Sequence, residues 1–94
     1  MRIKRIIIPS YVLDKLNWKH RVSEDEVHEI LKRKPKLFFI EKGDVAGEHV
    51  YMALGITISG RYLSVFFIYK KDKVALVLSA RDMAERERKR YERK

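Results

Sequence analysis

The chain has 94 residues, of which 46% are hydrophobic and 11% aromatic, a composition that excludes a disordered polypeptide and fits one packed domain over residues 1–94. Its 22 Lys and Arg residues outnumber 13 Asp and Glu residues, and the net charge of +9 favours a polyanion or an acidic protein as partner. Cysteine is absent and no apolar run approaches about 18 residues, so we expect a cytoplasmic protein without disulfides or a membrane span. A thermophile-like surface is the alternative explanation, but it accounts for the number of charges and not for their sign.

The first third of the chain predicts one strand and two helices. Residues 3–8, IKRIII, are rich in β-branched side chains, as is typical of a short strand. A Pro-Ser pair breaks this run, and apolar residues at helical spacing predict a helix over 11–20. Ser23 and Glu26 have the spacing of a capping box, so a second helix begins here and is ended by Pro35.

From residue 36 onward the hydrophobic pattern changes to that of strands. KLFFIE, HVYMALGI, RYLSVFFIY and VALVLSA are four predicted strands separated by turn residues. Asp82 and Glu85 predict another capping box, which begins a final helix. The expected order is β-α-α-β-β-β-β-α, an α+β fold in which an antiparallel β-sheet has the two N-terminal helices packed on one face, together with a C-terminal helix.

The turn positions give a predicted register for the sheet. If residues 58 and 59 centre the first hairpin, Leu54 lies opposite Leu63 and Met52 opposite Val65. If residues 71 and 72 centre the second hairpin, Val65 lies opposite Leu78. The resulting core face collects Val50, Met52, Leu54, Leu63, Val65, Phe67, Val74, Leu76, Leu78 and Ala80. The opposite face collects His49, Tyr51, Ala53, Tyr62, Ser64, Phe66, Val77 and Ser79, with Arg81 at its rim.

Two hypotheses for the second face remain open at this point. Tyr51 and Tyr62, with basic residues at the sheet edge, are typical of a surface that stacks RNA bases and binds phosphates. Alternatively, the C-terminal helix packs there. The same register places Arg61 and Arg81 at one end of the sheet, where two guanidinium groups predict a clamp for a phosphodiester.

The sequence offers few residues for catalysis. His20, His28 and His49 have no metal-ligand spacing and there is no Gly-rich phosphate loop, so we expect neither a metal nor a cofactor. Metal-independent RNA cleavage needs only a base, an acid and positive charge, because the 2′-hydroxyl of RNA is itself the nucleophile. His20 is the preferred acid or base since imidazole titrates near neutrality; the alternative is a helix-end histidine favoured by the helix dipole. Lys15 and Lys19 add positive potential for binding RNA beside it.

Three segments resemble the BrnT family of bacterial toxins. They are NWKHRVSEDEVHEIL, YMALGITISGRYLSVFF and LSARDMAERERKRYERK, in the same order as in that family. The resemblance implies a RelE-like fold, ribonuclease activity that blocks translation, and a cognate BrnA-like or other DNA-binding antitoxin that neutralises the toxin in a hetero-oligomer. His20, Arg61 and Arg81 match residues of the family motifs, which implies catalytic roles for all three.

Two positions depart from the family pattern. Arg21 stands where the family has glycine after the histidine, so a glycine helix stop is missing. Ile56 stands where many members have a basic residue, which removes one phosphate contact.

The runner-up hypotheses are a non-catalytic nucleic-acid-binding module, which uses a basic sheet edge and the C-terminal helix, and a domain that binds an acidic protein. The other basic residues of the terminal segment are expected to add a general positive field; they are Arg86, Arg88, Lys89, Arg90, Arg93 and Lys94.

Overall fold

The computed structural model describes residues 1–93. Within that range, five strands and three α-helices follow the predicted order, which confirms an α+β fold. Their bounds are β1 Arg5–Ile7, α1 Ser10–Lys15, α2 Glu24–Lys32, β2 Lys36–Glu41, β3 His49–Ile56, β4 Tyr62–Lys70, β5 Val74–Asp82 and α3 Glu85–Glu92. A π-helical turn, Leu16–His20, continues α1, and a 3-10 helix, Lys71–Lys73, joins β4 to β5. The prediction for Lys94 lies outside the described residues.

The five strands form one mixed sheet in the order β1-β5-β4-β3-β2. The three sequential pairs are antiparallel, as their short connections favour. β1, however, pairs in parallel with β5, with Arg5 opposite Val74 and Ile7 opposite Leu76, so the prediction of a purely antiparallel sheet is wrong. The reason is that β1 continues into helices instead of a hairpin, and therefore no turn fixes its neighbour or its direction.

The register of the first hairpin also differs from the prediction. It closes through a three-residue loop, 58–60, whose last residue is a glycine at φ 95°. The amide of Thr57 donates to the carbonyl of Arg61 at 2.8 Å and closes this loop. Leu54 therefore lies opposite Ser64, one residue away from its predicted partner. A shift of one residue moves every side chain of β3 to the other face relative to β4.

The hairpin between β4 and β5 departs from the prediction as well. The 3-10 helix occupies its turn, and the register shifts again at a bulge next to Phe66. Val65 lies opposite Ala80, where Leu78 was expected. The irregular turn and the bulge are local features that hydrophobic alternation does not reveal.

The N-terminal helices pack on the face of the sheet that carries Leu63 and Phe67, both 0% exposed. The helical segments and the connection between them contribute Val12, Leu16, Val22, Val27, Ile30 and Leu31 to this core. β3 offers small residues on this face, Ala53 and Gly55, and a Cβ added at Gly55 would lie 3.2 Å from Cδ1 of Ile30. Small side chains are therefore needed here for α2 to approach the sheet.

The opposite face of the sheet is covered in part by α3. The Tyr91 ring of this helix meets Tyr62 of β4 edge-on, with ring centroids 6.1 Å apart. Met52 and Leu54 lie on this face, and they are only 3% and 0% exposed. Because β3 is an internal strand that is buried on both faces, its sequence is hydrophobic at nearly every position. Its larger residues therefore predicted the wrong core face.

The two predicted capping boxes have different outcomes. At α2 the box is confirmed, since the amide of Glu26 donates to Oγ of Ser23 at 3.1 Å and the amide of Ser23 donates to Oε1 of Glu26 at 3.0 Å. At α3 it is wrong, because Asp82 is the last residue of β5 and the helix begins only at Glu85. Asp82 accepts instead from Nε of Arg61 at 2.8 Å. No helix within residues 1–93 is both long and apolar enough to cross a membrane.

Candidate active site

Arg61 lies directly before β4, and all five N–H groups of its guanidinium have acceptors. Nε and Nη2 donate to the two carboxylate oxygens of Asp82 at 2.8 and 3.3 Å. Nη1 donates to the carbonyl of Arg21 at 2.6 Å and to Oε1 of Glu26 at 3.2 Å. Nη2 also donates to the carbonyl of His20 at 2.9 Å. Arg61 thus joins the end of β5 to the helix junction, by which we mean residues 20–26, between the π-helical turn and the first turn of α2. No N–H group of Arg61 is left for a phosphate.

The charges around Arg61 are balanced by its own partners. The hydrogen bond to Asp82 raises the pKa of Arg61, and the same bond lowers the pKa of Asp82. The charge of Glu26 raises the pKa of Arg61 further, and a positive charge on His20 would lower the pKa of Asp82 further. One guanidinium faces two carboxylates, so this cluster does not present free positive charge.

The helix stop before α2 forms without the glycine of the family pattern. Arg21 adopts the left-handed conformation, with φ 52° and ψ 41°. This conformation costs a residue with a Cβ roughly 1–2 kcal/mol. The amide of Val22 donates to the carbonyl of Leu16 at 3.0 Å and closes the π-helical turn. Together with the hydrogen bonds from Arg61, this bond offsets the strain and fixes the backbone of His20.

His20 is the last residue of the π-helical turn and lines a cleft of about 170 Å³, which we call the His20 cleft. The other lining residues are Tyr11, Val12, Lys15, Leu16, Leu78 and Ser79. The cleft lies on the edge of β5 that faces away from β4, beyond the short pairing of β1 with Val74–Leu76. The side chain of His20 is half-buried, whereas Tyr11 is 76% exposed. An imidazole, an ammonium group and a phenol therefore share one open cleft.

Arg81 lies on the other face of the sheet, beside α3. Nη1 and Nη2 donate to the two carboxylate oxygens of Glu87 at 2.7 and 2.8 Å, a bidentate pair. Nη1 also donates to the carbonyl of Asp82 at 3.2 Å, and the guanidinium carbon lies 5.2 Å from the centroid of the Phe66 ring. Within residues 1–93, Nε and one N–H of Nη2 have no acceptor. Arg81 therefore keeps two donors for an anionic ligand, in contrast to Arg61.

Glu87 holds Arg81 in place from a buried position. Glu87 is only 8% exposed. Its Oε1 also accepts from Oγ of Ser64 at 2.9 Å and from the amide of Ala84 at 2.8 Å. Burial by itself raises the pKa of Glu87, but the hydrogen bonds from Arg81, Ala84 and Ser64 outweigh burial and lower it. The hydrogen bond to Glu87 in turn raises the pKa of Arg81. This ion pair is consequently a fixed part of the face beside α3.

A groove of about 590 Å³, which we call the arginine groove, runs between α3 and the sheet. It is lined by Ile40, Met52, Phe66, Arg81, Arg86, Glu87, Arg90 and Arg93. Four arginines and one glutamate thus surround an apolar floor, and three of the arginines form no ion pair in the described part of the chain. The predicted general field is therefore uneven, since Arg88 and Lys89 pair within α3 with Glu92 and Glu85, both at 3.6 Å.

The predicted clamp of Arg61 and Arg81 does not form. Arg61 contacts the N-terminal helices and Arg81 contacts α3, and a different carboxylate binds each. The reason is strand geometry, since successive side chains of β5 point to opposite faces. Asp82 therefore meets Arg61 on one side, and Arg81 meets Glu87 on the other.

The four residues predicted to bind RNA do not share one surface. Lys15 lines the His20 cleft, and Lys19 is exposed on the same helical segment. Tyr51 lies on the face beneath the N-terminal helices and stacks on Phe67, with centroids 6.0 Å apart. Tyr62 lies on the other face, against α3. The prediction of a single tyrosine face is wrong because of the one-residue shift of β3.

Sequence reasoning missed three polar residues around His20. Tyr11 was detectable, because it lies four residues before Lys15 in the predicted helix and thus on the same side. Ser79 and Asp82 reach this region only through the position of β5 beside the π-helical turn, for which the sequence gives no pattern. Within residues 1–93, no three His, Asp or Glu side chains are grouped closely enough to bind a metal ion.

Comparison with known families supplies the family of the chain. A family model described as "Ribonuclease toxin, BrnT, of type II toxin-antitoxin system" matches residues 14–87. A comparison with curated proteins gives no match. The matched range contains the helix junction with His20, the first hairpin and the Arg81–Glu87 pair. Type II systems pair a toxin with a cognate antitoxin. The chain belongs to the BrnT family of ribonuclease toxins of type II toxin–antitoxin systems.

Proposed function

We propose that this protein is a metal-independent endoribonuclease that cleaves RNA through its own 2′-hydroxyl groups and thereby inhibits translation. The observation that carries the proposal is the His20 cleft, in which His20 and Lys15 lie beside the edge of β5 that β1 leaves uncovered. RNA needs no metal for this reaction, because a base, a proton donor and a cation are sufficient.

His20 and Lys15 divide the chemistry in this proposal. The neutral imidazole of His20 takes the proton of the 2′-hydroxyl, whose oxygen then attacks the adjacent phosphorus. The bond to the 5′-oxygen breaks, and this oxygen takes a proton, which leaves a 2′,3′-cyclic phosphate and a 5′-hydroxyl end. The ammonium group of Lys15 stabilises the negative charge of the pentacoordinate phosphorus and is a proton donor in the same cleft.

The two arginines have separate roles. Arg61 positions His20 through the carbonyls of residues 20 and 21 and does not contact substrate, since its donors are all used. Arg81 binds a neighbouring phosphate with the two donors that Glu87 and the carbonyl of Asp82 leave unused. Ser79 connects the cleft with Arg81. It lines the His20 cleft and lies two residues before Arg81 on the same face of β5.

The experiment is cleavage of a long RNA by purified protein in the presence of EDTA. Wild type is expected to cut, and His20→Ala to lower the cleavage rate by roughly 100-fold or more, as for loss of a general base. Arg81→Ala should also lose activity, whereas the exposed Arg5→Ala on β1 serves as the matched arginine control and should not. Folded wild-type protein without cleavage, or a His20→Ala variant as fast as Arg5→Ala, would contradict the proposal.

A second function is favoured by the arginine groove. Unpaired arginines above the apolar floor of Met52 and Phe66 are suited to a non-catalytic nucleic-acid-binding module. This alternative predicts oligonucleotide binding that weakens steeply with salt, without any cleavage. Binding and cleavage assays on the same preparation decide between the two functions.

The RelE-like character of the fold and the nature of the antitoxin belong to the same proposal. We expect a DNA-binding antitoxin, BrnA-like or of another type, to form a hetero-oligomer with the chain and to inhibit it. The net charge of +9 favours an acidic toxin-binding segment in that partner. Co-expression of the neighbouring gene, followed by size-exclusion chromatography and the RNA cleavage assay, tests this expectation.

A further inference from the structure

Two large aromatic side chains project from the helix that carries His20 and pack against no other ring. Tyr11 is 76% exposed and Trp18 is 75% exposed, although both are residue types that proteins normally bury in large part. Neither ring stacks on another ring or on a cation within residues 1–93. Exposed Trp and Tyr on one short segment indicate a surface that binds a partner.

The helical segment places a lysine between these rings. Tyr11 and Lys15 are four residues apart in α1, which puts them on one side of that helix, and Trp18 follows three residues later in the π-helical turn. At about 1.5 Å per residue in α1, and somewhat less in the wider π-helical turn, the two residues are roughly 10 Å apart along the axis, a distance that about three stacked bases cover. Lys19 is also exposed, and Asp14 is the acidic residue of this segment.

The strip is continuous with the His20 cleft. Tyr11 and Lys15 line the cleft itself, and Trp18 follows one turn further along the exposed side of the helix. A chain bound in the cleft therefore meets an ammonium group and then an indole ring as it leaves.

We propose that Tyr11, Lys15 and Trp18 form a base-stacking strip for single-stranded RNA that extends from the His20 cleft. The proposal rests on the ribonuclease function and adds a substrate-binding subsite to it. Bases stack on aromatic rings without regard to sequence, and the lysine binds the phosphate between them. A protein partner fits less well, because lysine is depleted at the centres of protein–protein interfaces, whereas aromatic rings alternating with cations suit nucleic acid.

Trp18 allows a direct test, because it is the single tryptophan of the chain. A short single-stranded 2′-O-methyl RNA oligonucleotide lacks the nucleophile, so it binds without being cut. Stacking on this probe should quench the tryptophan fluorescence of the wild-type protein. The affinity, measured by anisotropy of a labelled probe, should fall roughly 5- to 150-fold in Trp18→Ala, and similarly in Tyr11→Ala. Trp18→Phe keeps a ring and should lose much less.

Ile58→Ala is the matched control, since Ile58 is an apolar residue that is also 76% exposed but lies in the first hairpin loop. Absence of quenching, together with equal probe affinity of Trp18→Ala and Ile58→Ala, overturns the strip. Loss of antitoxin binding by Trp18→Ala with unchanged probe affinity also overturns it, because the surface is then a protein interface. If wild type is quenched by the probe but does not cut unmodified RNA, the strip stands and the ribonuclease function fails.

Discussion

Replacement of Arg61 by alanine is expected to destabilise the fold more than replacement of any exposed cation. The guanidinium bonds to Asp82 and Glu26 and to the carbonyls of His20 and Arg21, which come from three separate parts of the chain. Its removal releases the end of β5 from the helix junction. It also leaves the left-handed residue 21 without the donor that holds its carbonyl.

The size of the effect follows from the exposure of each partner. Asp82 has a side chain 67% exposed, so its pair contributes less than about 1 kcal/mol. The pair with Glu26, whose side chains are 25% and 21% exposed, contributes about 1 kcal/mol. Each charged hydrogen bond to a carbonyl adds about 1 kcal/mol after water replaces part of it. Because the bonds share one side chain and are not additive, we expect a loss of about 2–4 kcal/mol in the free energy of unfolding.

Urea unfolding followed by circular dichroism measures this loss. Arg61→Lys should recover only part of it, because an ammonium group has three donors in place of five. Lys89→Ala is the control, since Lys89 and its partner Glu85 are 73% and 86% exposed, and its loss should stay below about 0.5 kcal/mol. If Arg61→Ala unfolds like Lys89→Ala and yet loses RNA cleavage, Arg61 contacts the substrate and the assignment as a positioning residue is wrong.

Three further predictions concern other parts of the molecule. The pKa of Glu87 is lowered in the folded state, so its stabilising contribution is present above its unfolded pKa of about 4.3 and is lost as pH falls below that value; Glu87→Gln should flatten this acid limb of stability in urea titrations, and an unchanged limb would assign it to other carboxylates. Replacing both Arg86 and Arg90 by alanine should make the slope of log affinity for single-stranded RNA against log salt concentration shallower by about 1.4. An unaltered slope would mean that the arginine groove does not bind the RNA. Gly55→Val should destabilise by about 1–3 kcal/mol in the same urea assay, because a Cβ there already lies 3.2 Å from Ile30; a neutral result would mean that α2 shifts freely.

Several features of the fold were predictable because they depend on neighbours in sequence. The order of strands and helices follows from local periodicity, and the cap at Ser23 follows from a spacing of three residues to Glu26. The shared cleft of His20 and Lys15 was accessible for the same reason, since both belong to one helical segment. The pairing of β1 with β5 was not accessible, because no turn joins these strands.

The sequence by itself determined the chemistry that this protein has at its disposal: a basic chain without cysteine, an α+β order of elements, and one histidine beside lysines at a helix end. Tertiary structure decided how Arg61 and Arg81, the two arginines of the family motifs, are used. The first hairpin has a three-residue loop instead of a two-residue loop, and this loop set the register of β3 against β4. Successive side chains of β5 lie on opposite faces, so Asp82 binds Arg61 and Arg81 binds Glu87. Sequence patterns cannot separate these outcomes, because register and strand neighbours depend on which surfaces pack together, and β3 is buried on both faces.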